Sequence, residues 1–234
     1  MSSSNSHGFS IKPLVAGLTL ALSGTFVHAA PTPNQLPGAG TLTAVSLGSI
    51  GTSLQAVVGG PIINLGAING NGIGIDGKVV ITWGGAGAPV DPSNPQGFNI
   101  GSAGVLQFGS ITPGSAVLSL DASGRASQIF GMLESVAGPV NSCPACTIAP
   151  ALFVANGNGI VLGAGGRIVA PTGVGLIGAN LNNATAKFDF VGNNSAAVSY
   201  LDVTPGQSTV TVNGALNGSA VANVPAAYVL LAGG

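Results

Sequence analysis

Few residues of this chain could do chemistry. Two cysteines, Cys143 and Cys146, stand in NSCPACT with CxxC spacing. That spacing serves dithiol–disulfide exchange when the first cysteine opens a helix, or half of a zinc site when two further ligands exist. The flanks VAGPVNS and TIAPALF read as loop. Both histidines, His7 and His28, lie within the first thirty residues, and there is no third cysteine. A four-ligand zinc site therefore lacks its other half. The remaining reading is a local Cys143–Cys146 disulfide that pins a loop, with a small entropic contribution because the closed ring is short.

The acids are Asp76, Asp91, Asp121, Glu134, Asp189 and Asp202. A pair of carboxylates can cleave glycosidic bonds, so a polysaccharide-active enzyme is one reading to weigh. Such enzymes gather cations beside the acids, whereas Arg125 and Arg167 stand isolated in sequence. Calcium has neither an EF-hand loop nor a G-G-x-G-x-D repeat to hold it. Beyond residue 28 the chain has no histidine, so Ser-His-Asp and Cys-His arrangements are impossible there. A formal net charge of -1 with 5% charged residues leaves no basic footprint for nucleic acid. The chain thus reads as non-catalytic, with no cofactor and no metal.

The residues that remain are turn formers. Asn69-Gly70-Asn71-Gly72 recurs in kind as Asn156-Gly157-Asn158-Gly159, and Asn213-Gly214 and Asn217-Gly218 come later. Both types tolerate positive φ, and asparagine can bond its own backbone. Between such turns lie short β-prone runs, among them KVVITW at 78–83, GVLQF at 104–108, AVLSL at 116–120, ALFVA at 151–155 and STVTV at 208–212. In 78–83, Val79, Ile81 and Trp83 fall on one face and Lys78, Val80 and Thr82 on the other, the period of a strand. Ser127–Glu134 is the best helical candidate and reads equally as strand and bend. The chain is all-β. A sandwich or jelly roll fits the strand count. A transmembrane barrel needs longer strands. A parallel β-helix suits the short runs and their spacing.

Residues 1–29 read as a signal peptide. Lys12 precedes the apolar run PLVAGLTLALSGTFV at 13–27, and Val27-His28-Ala29 supplies small residues before a cleavage point at Ala30. The run is short for a membrane span. Residues 30–44 form a Pro/Gly-rich lead-in, and 45–234 carry the repeating strand-and-turn pattern.

GKVVITWG, GFNIGSAGVLQFG, SQIFGML and PALFVANGNGIVLGAGGRIVAPTGVGLIGANL occur in that order. Together they resemble the filamentous haemagglutinin N-terminal domain, the two-partner secretion domain of exported bacterial adhesins. The matching residues are Ile81, Trp83, Phe98, Asn99, Ile100 and Gly101, then Ser127, Gln128, Ile129, Gly131 and Leu133. Phe153, Asn156, Gly157, Asn158, Gly159, Ile160, Gly163, Gly165 and Leu176 complete the set. The family's Asn-Pro-Asn-Gly stands here as Asn156-Gly157-Asn158-Gly159, and GAGAPVDPSNP and the cysteine segment are insertions.

The resemblance implies a right-handed, single-stranded parallel β-helix with an N-terminal cap and extra-helical strands, its large aromatics Trp83, Phe98 and Phe153 in the core. It implies export through the periplasm of a Gram-negative-type bacterium. It also implies recognition by a POTRA/barrel outer-membrane transporter, and residence outside the cell or on its surface against a receptor of unspecified kind. Family exoproteins run far longer, so the resemblance makes this chain a fragment or a short relative. The other expectation drawn from the residues is a self-associating fibre subunit built by end-to-end stacking of solenoids.

Overall fold

The computed structural model describes residues 30–38, 40–45, 62–63, 72–84, 97–140, 143–181, 203–204, 208–217 and 229–233. The expected signal peptide, the GAGAPVDPSNP insertion with Asp91, and Asp189 and Asp202 lie outside these residues.

The chain first lays down β1 (Gly40–Val45) and β2 (Ile62–Ile63). It then coils through β3 (Gly72–Ile75), β4 (Lys78–Trp83) and β5 (Asn99–Ile100). The next turns are β6 (Val105–Ser110), β7 (Ala116–Asp121) and β8 (Ser127–Ile129), then β9 (Met132–Ser135), β10 (Ala151–Ala155) and β11 (Ile160–Leu162). β12 (Arg167–Val169) and β13 (Val174–Gly178) come next, and β14 (Asn180–Leu181) and β15 (Val203–Thr204) pair outside the coil. The last turn is β16 (Val210–Val212), β17 (Ala215–Asn217) and β18 (Val229–Gly233).

Each strand pairs in parallel with the one a full turn later. Sheet I is β4-β7-β10-β13-β18, sheet II is β5-β8-β11-β16, and sheet III is β3-β6-β9-β12-β17. The fold is a three-sided parallel β-helix, all-β as the residue pattern predicts. Turn length varies widely: Leu152 pairs with Val174, but Ala116 pairs with Ala151 and Val174 with Val229.

Alternation decides what is inside. Val79, Val117, Leu152 and Val174 stack on sheet I, Ile100, Ile129 and Leu162 on sheet II, and Leu106, Leu133 and Ile168 on sheet III. All belong to one apolar core that also holds Ile81, Trp83, Phe98 and Ile160. Ser127–Glu134 is strand and bend, with β8 and β9 meeting at Phe130-Gly131. Sheet I is apolar outside as well, where Val80, Leu118 and Ile177 are buried.

Phe153 departs from its expectation. Leu152 and Val154 point inward, so period two turns Phe153 outward. It is half-buried against the outer cluster of sheet I. A Cβ on Gly175 of the next turn would meet its ring, so the aromatic lies over a glycine rather than in the core.

The near end is closed differently from the coil. β1 runs antiparallel to β4, with Gly40 opposite Trp83 and Val45 opposite Val79, and β2 pairs antiparallel with β1. Residues 32–38 cross the end of sheet II: Gly101 N–H donates to Gln35 O at 2.8 Å and Ala103 N–H to Pro33 O at 2.7 Å. Leu36 packs on the core. The first parallel strand among the described residues begins at Gly72, later than the expected residue 45, because β1 and β2 belong to this antiparallel cap.

Cys143 and Cys146 form the expected disulfide, with Cα atoms 5.4 Å apart. Their segment leaves the coil after β9 and then folds back. Ser110 and Ile148 exchange backbone hydrogen bonds at 2.8 Å each way. The cysteines are buried with Val140 and Val136, against Gly74 and Gly109 on the outer face of sheet III. The disulfide pins this loop as expected, and two side-chain-free strand positions give it a bed.

Candidate functional site

The Asn156–Gly159 turn joins β10 to β11, so it rounds the corner between sheets I and II. The corner is lined inside by a polar ladder. Asp121 ends β7 at the position opposite Trp83. Its Oδ2 accepts from Phe98 N–H at 2.9 Å and from Ser127 Oγ at 2.7 Å, and its Oδ1 accepts from Ser123 N–H at 2.9 Å.

Asn156 is the next step of the ladder and is 1% exposed. Its Nδ2 donates to Ser127 Oγ at 2.9 Å and to Arg125 O at 2.7 Å. Its Oδ1 accepts from Asn158 N–H at 2.7 Å, closing the turn. One turn further on, Ser208 Oγ donates to Gly178 O at 2.7 Å. Every polar atom named here has a partner, which is the condition for burying such groups in an apolar core.

The four motif residues therefore divide. Asn156 is internal scaffold. Gly159 takes φ +99°, with Thr209 O 3.0 Å from where a Cβ would stand, and its N–H donates to Asn156 O at 3.1 Å. Gly157 is half-buried, and Asn158 is exposed with no side-chain hydrogen bond among the described residues. The sequence pattern gives both asparagines a backbone-satisfying role. Only Asn156 has it, because only Asn156 faces inward. Asn156→Ala is expected to lower stability by about 2–3 kcal/mol, since it strands buried partners. Asn158→Ala is expected to stay within about 0.5 kcal/mol, as for an exposed position. Chemical denaturation of the two variants side by side checks this.

Sequence reasoning missed Asp121 and Ser127 as supports of this turn. Their signal was faint: each is a polar residue at an inward-facing strand position beside a turn. The described carboxylates, Asp76, Asp121 and Glu134, are dispersed rather than paired. Asp121 is inside this corner, Asp76 accepts from Thr112 Oγ1, and Glu134 accepts from Gln107 Nε2 at 2.5 Å on sheet III.

The corner between sheets II and III carries a second column, made of glycine. A Cβ on Gly104 would fall on Gln35 O of the cap, on Gly131 it would fall on Gly101 O and Gly104 O, and on Gly166 on Ile129 O. On Gly214 it would fall on Gly166 O and Gly163 O. Successive turns touch backbone to backbone here, through Met132 N–H to Gly104 O at 2.9 Å and Arg167 N–H to Gly131 O at 2.9 Å. Gly163 lies under the Phe130 ring, whereas Gly165 is exposed and roomy.

No protein-family model, curated protein or solved structure matches the chain.

Proposed function

We propose that the chain is the secretion and surface-display module of an adhesin-like exported protein, acting without catalysis. The observation that carries this reading is the exposed Asn158 held on a rigid, fully bonded corner of a capped parallel β-helix. A transporter that must recognise a partly assembled solenoid needs a small feature presented by a firm scaffold, and Asn158 meets that description. The partner is an outer-membrane transporter of the POTRA/barrel type, reached through the periplasm. The disulfide suits that oxidising route. The residues shared with the resembling family support the same reading, because Ile81, Trp83, Phe98, Ile100, Ile129, Leu133 and Ile160 form core, Gly101 packs under the cap and Gly131 belongs to the glycine column.

The test is secretion of Asn158→Ala by cells carrying the transporter, alongside the melting temperature of the purified variant. The extracellular fraction should fall sharply while the melting temperature holds. Normal secretion at parental stability would overturn recognition at this turn.

One observation favours self-association as a second reading. The turn formed by β16, β17 and β18 is outermost on its side among the described residues, and Val229 and Leu231 are 49% and 51% exposed at core-stacking positions. The three strands carry no charged residue to discourage pairing. The antiparallel cap at the other end stands against repeated end-to-end growth. If association runs through this edge, Leu231→Lys will sediment as a smaller species than the parent at equal concentration. An unchanged sedimentation profile removes the reading.

A further inference from the structure

Three Asn-Gly pairs have both residues described, and the fold treats them differently. Deamidation at Asn-Gly begins when the glycine amide nitrogen, having lost its proton to solvent base, attacks the asparagine Cγ. It needs a mobile carboxamide and a free glycine N–H. Asn156 fails on the first count, because its carboxamide is buried and held by three hydrogen bonds. Asn158 is exposed but fails on the second, because Gly159 N–H donates to Asn156 O at 3.1 Å. Among the described residues, Asn213 meets both conditions. Its side chain is exposed with no hydrogen bond among the described residues, and Gly214 N–H has no acceptor there.

We propose that Asn213-Gly214 is a spontaneous modification site of the folded protein, converting to isoaspartate and aspartate while Asn156 and Asn158 are spared. A bond forms between Gly214 N and Asn213 Cγ, the Cγ–Nδ2 bond breaks, and ammonia leaves. Water then opens the resulting five-membered imide. Attack at one carbonyl gives aspartate. Attack at the other gives isoaspartate, which carries one extra methylene in the main chain.

The position makes the product consequential. Asn213 N–H donates to Leu162 O at 2.8 Å and Ala215 N–H to Gly166 O at 3.0 Å, so the pair lies between two fixed contacts of the outer turn. Gly214 is itself in the glycine column, where the main chain has no room to lengthen. An isoaspartate there cannot keep both Val210 opposite Ile160 and Ala215 opposite Arg167. The outer turn, β16 and β17, is released from its neighbours while the inner turns remain.

The experiment ages the folded chain at mildly alkaline pH and maps its peptides by mass spectrometry, with isoaspartate separated chromatographically. The Asn213 peptide should gain about one dalton first, with the Asn156–Gly159 peptide lagging. In denaturant the three pairs should converge, since the difference comes from the fold. Asn213 staying intact in the fold while the denatured chain converts, or Asn158 converting ahead of it, overturns the proposal. Hydrogen exchange on the aged parent should show lost protection in β16 and β17, and Asn213→Gln, which closes a ring far less readily, should keep it. Protection retained in a fully converted parent overturns the structural consequence.

Discussion

Gly131→Ala is expected to destabilise the protein by about 3 kcal/mol or more, the upper end for overpacking a close-packed site. The added methyl would collide with Gly101 O and Gly104 O. Neither is the far end of a flexible side chain. Both are backbone, and Gly104 O is already held by Met132 N–H at 2.9 Å. Relief requires β8 and β9 to shift away from β5 and β6, which breaks register on sheets II and III together. Gly165→Ala is the control. It lies in the same corner region, yet the nearest atom to its added Cβ is Phe130 O at 3.7 Å, an ordinary contact. Its cost should stay below about 1 kcal/mol. Urea titration followed by far-UV circular dichroism reads both. A Gly131→Ala protein as stable as Gly165→Ala would dissolve the idea of a backbone-limited column.

Trp83→Ala carries the other large effect, about 3–5 kcal/mol for truncating a buried tryptophan. Trp83 is 0% exposed and sits in the core with its ring centroid 5.6 Å from that of Phe98. The cavity would open beside the cap, between Gly40 on β1 and Asp121 on β7, where both neighbours are strands with little freedom to close in. Trp83→Phe separates shape from polarity. The indole Nε1 is buried with no acceptor among the described residues. Replacing the ring with phenylalanine removes that unpaired donor and offsets part of the lost area. Its cost should be about 1 kcal/mol. Because the chain has one tryptophan, the unfolding must be followed by circular dichroism and not by fluorescence. Equal costs for the two variants would mean that the ring's volume does not matter there.

The interior of single strands was legible because alternation is a local property. Val79, Ile81 and Trp83 separate from Lys78, Val80 and Thr82 in the sequence and do so in the fold. The same rule applied at ALFVA turns Phe153 outward, but its size and its place in the family motif drew it into the expected core. The disulfide was legible because two cysteines three residues apart have few alternatives. What stayed hidden was whatever depends on which residues stack between turns. Gly104, Gly131, Gly166 and Gly214 share one corner position at unequal spacing, because the excursions between turns differ in length. No repeat therefore marks them. The ladder from Asp121 through Ser127 to Asn156 was hidden for the same reason. The two asparagines of the candidate turn looked alike in sequence, and only their side of the corner distinguishes them.

The cap has a kinetic meaning. Its segment Thr32–Gln35 offers carbonyls to Gly101 and Ala103 much as Gly131 offers one to Arg167, so it imitates the corner of a turn. A coil whose turns touch only their neighbours can begin ordering at any turn and propagate from it. Here the first layer is laid by the earliest described residues and needs no parallel partner. Once it is in place, each later turn meets a finished edge and closes against it. The cap thus offers the coil a ready-made edge from which ordering can spread.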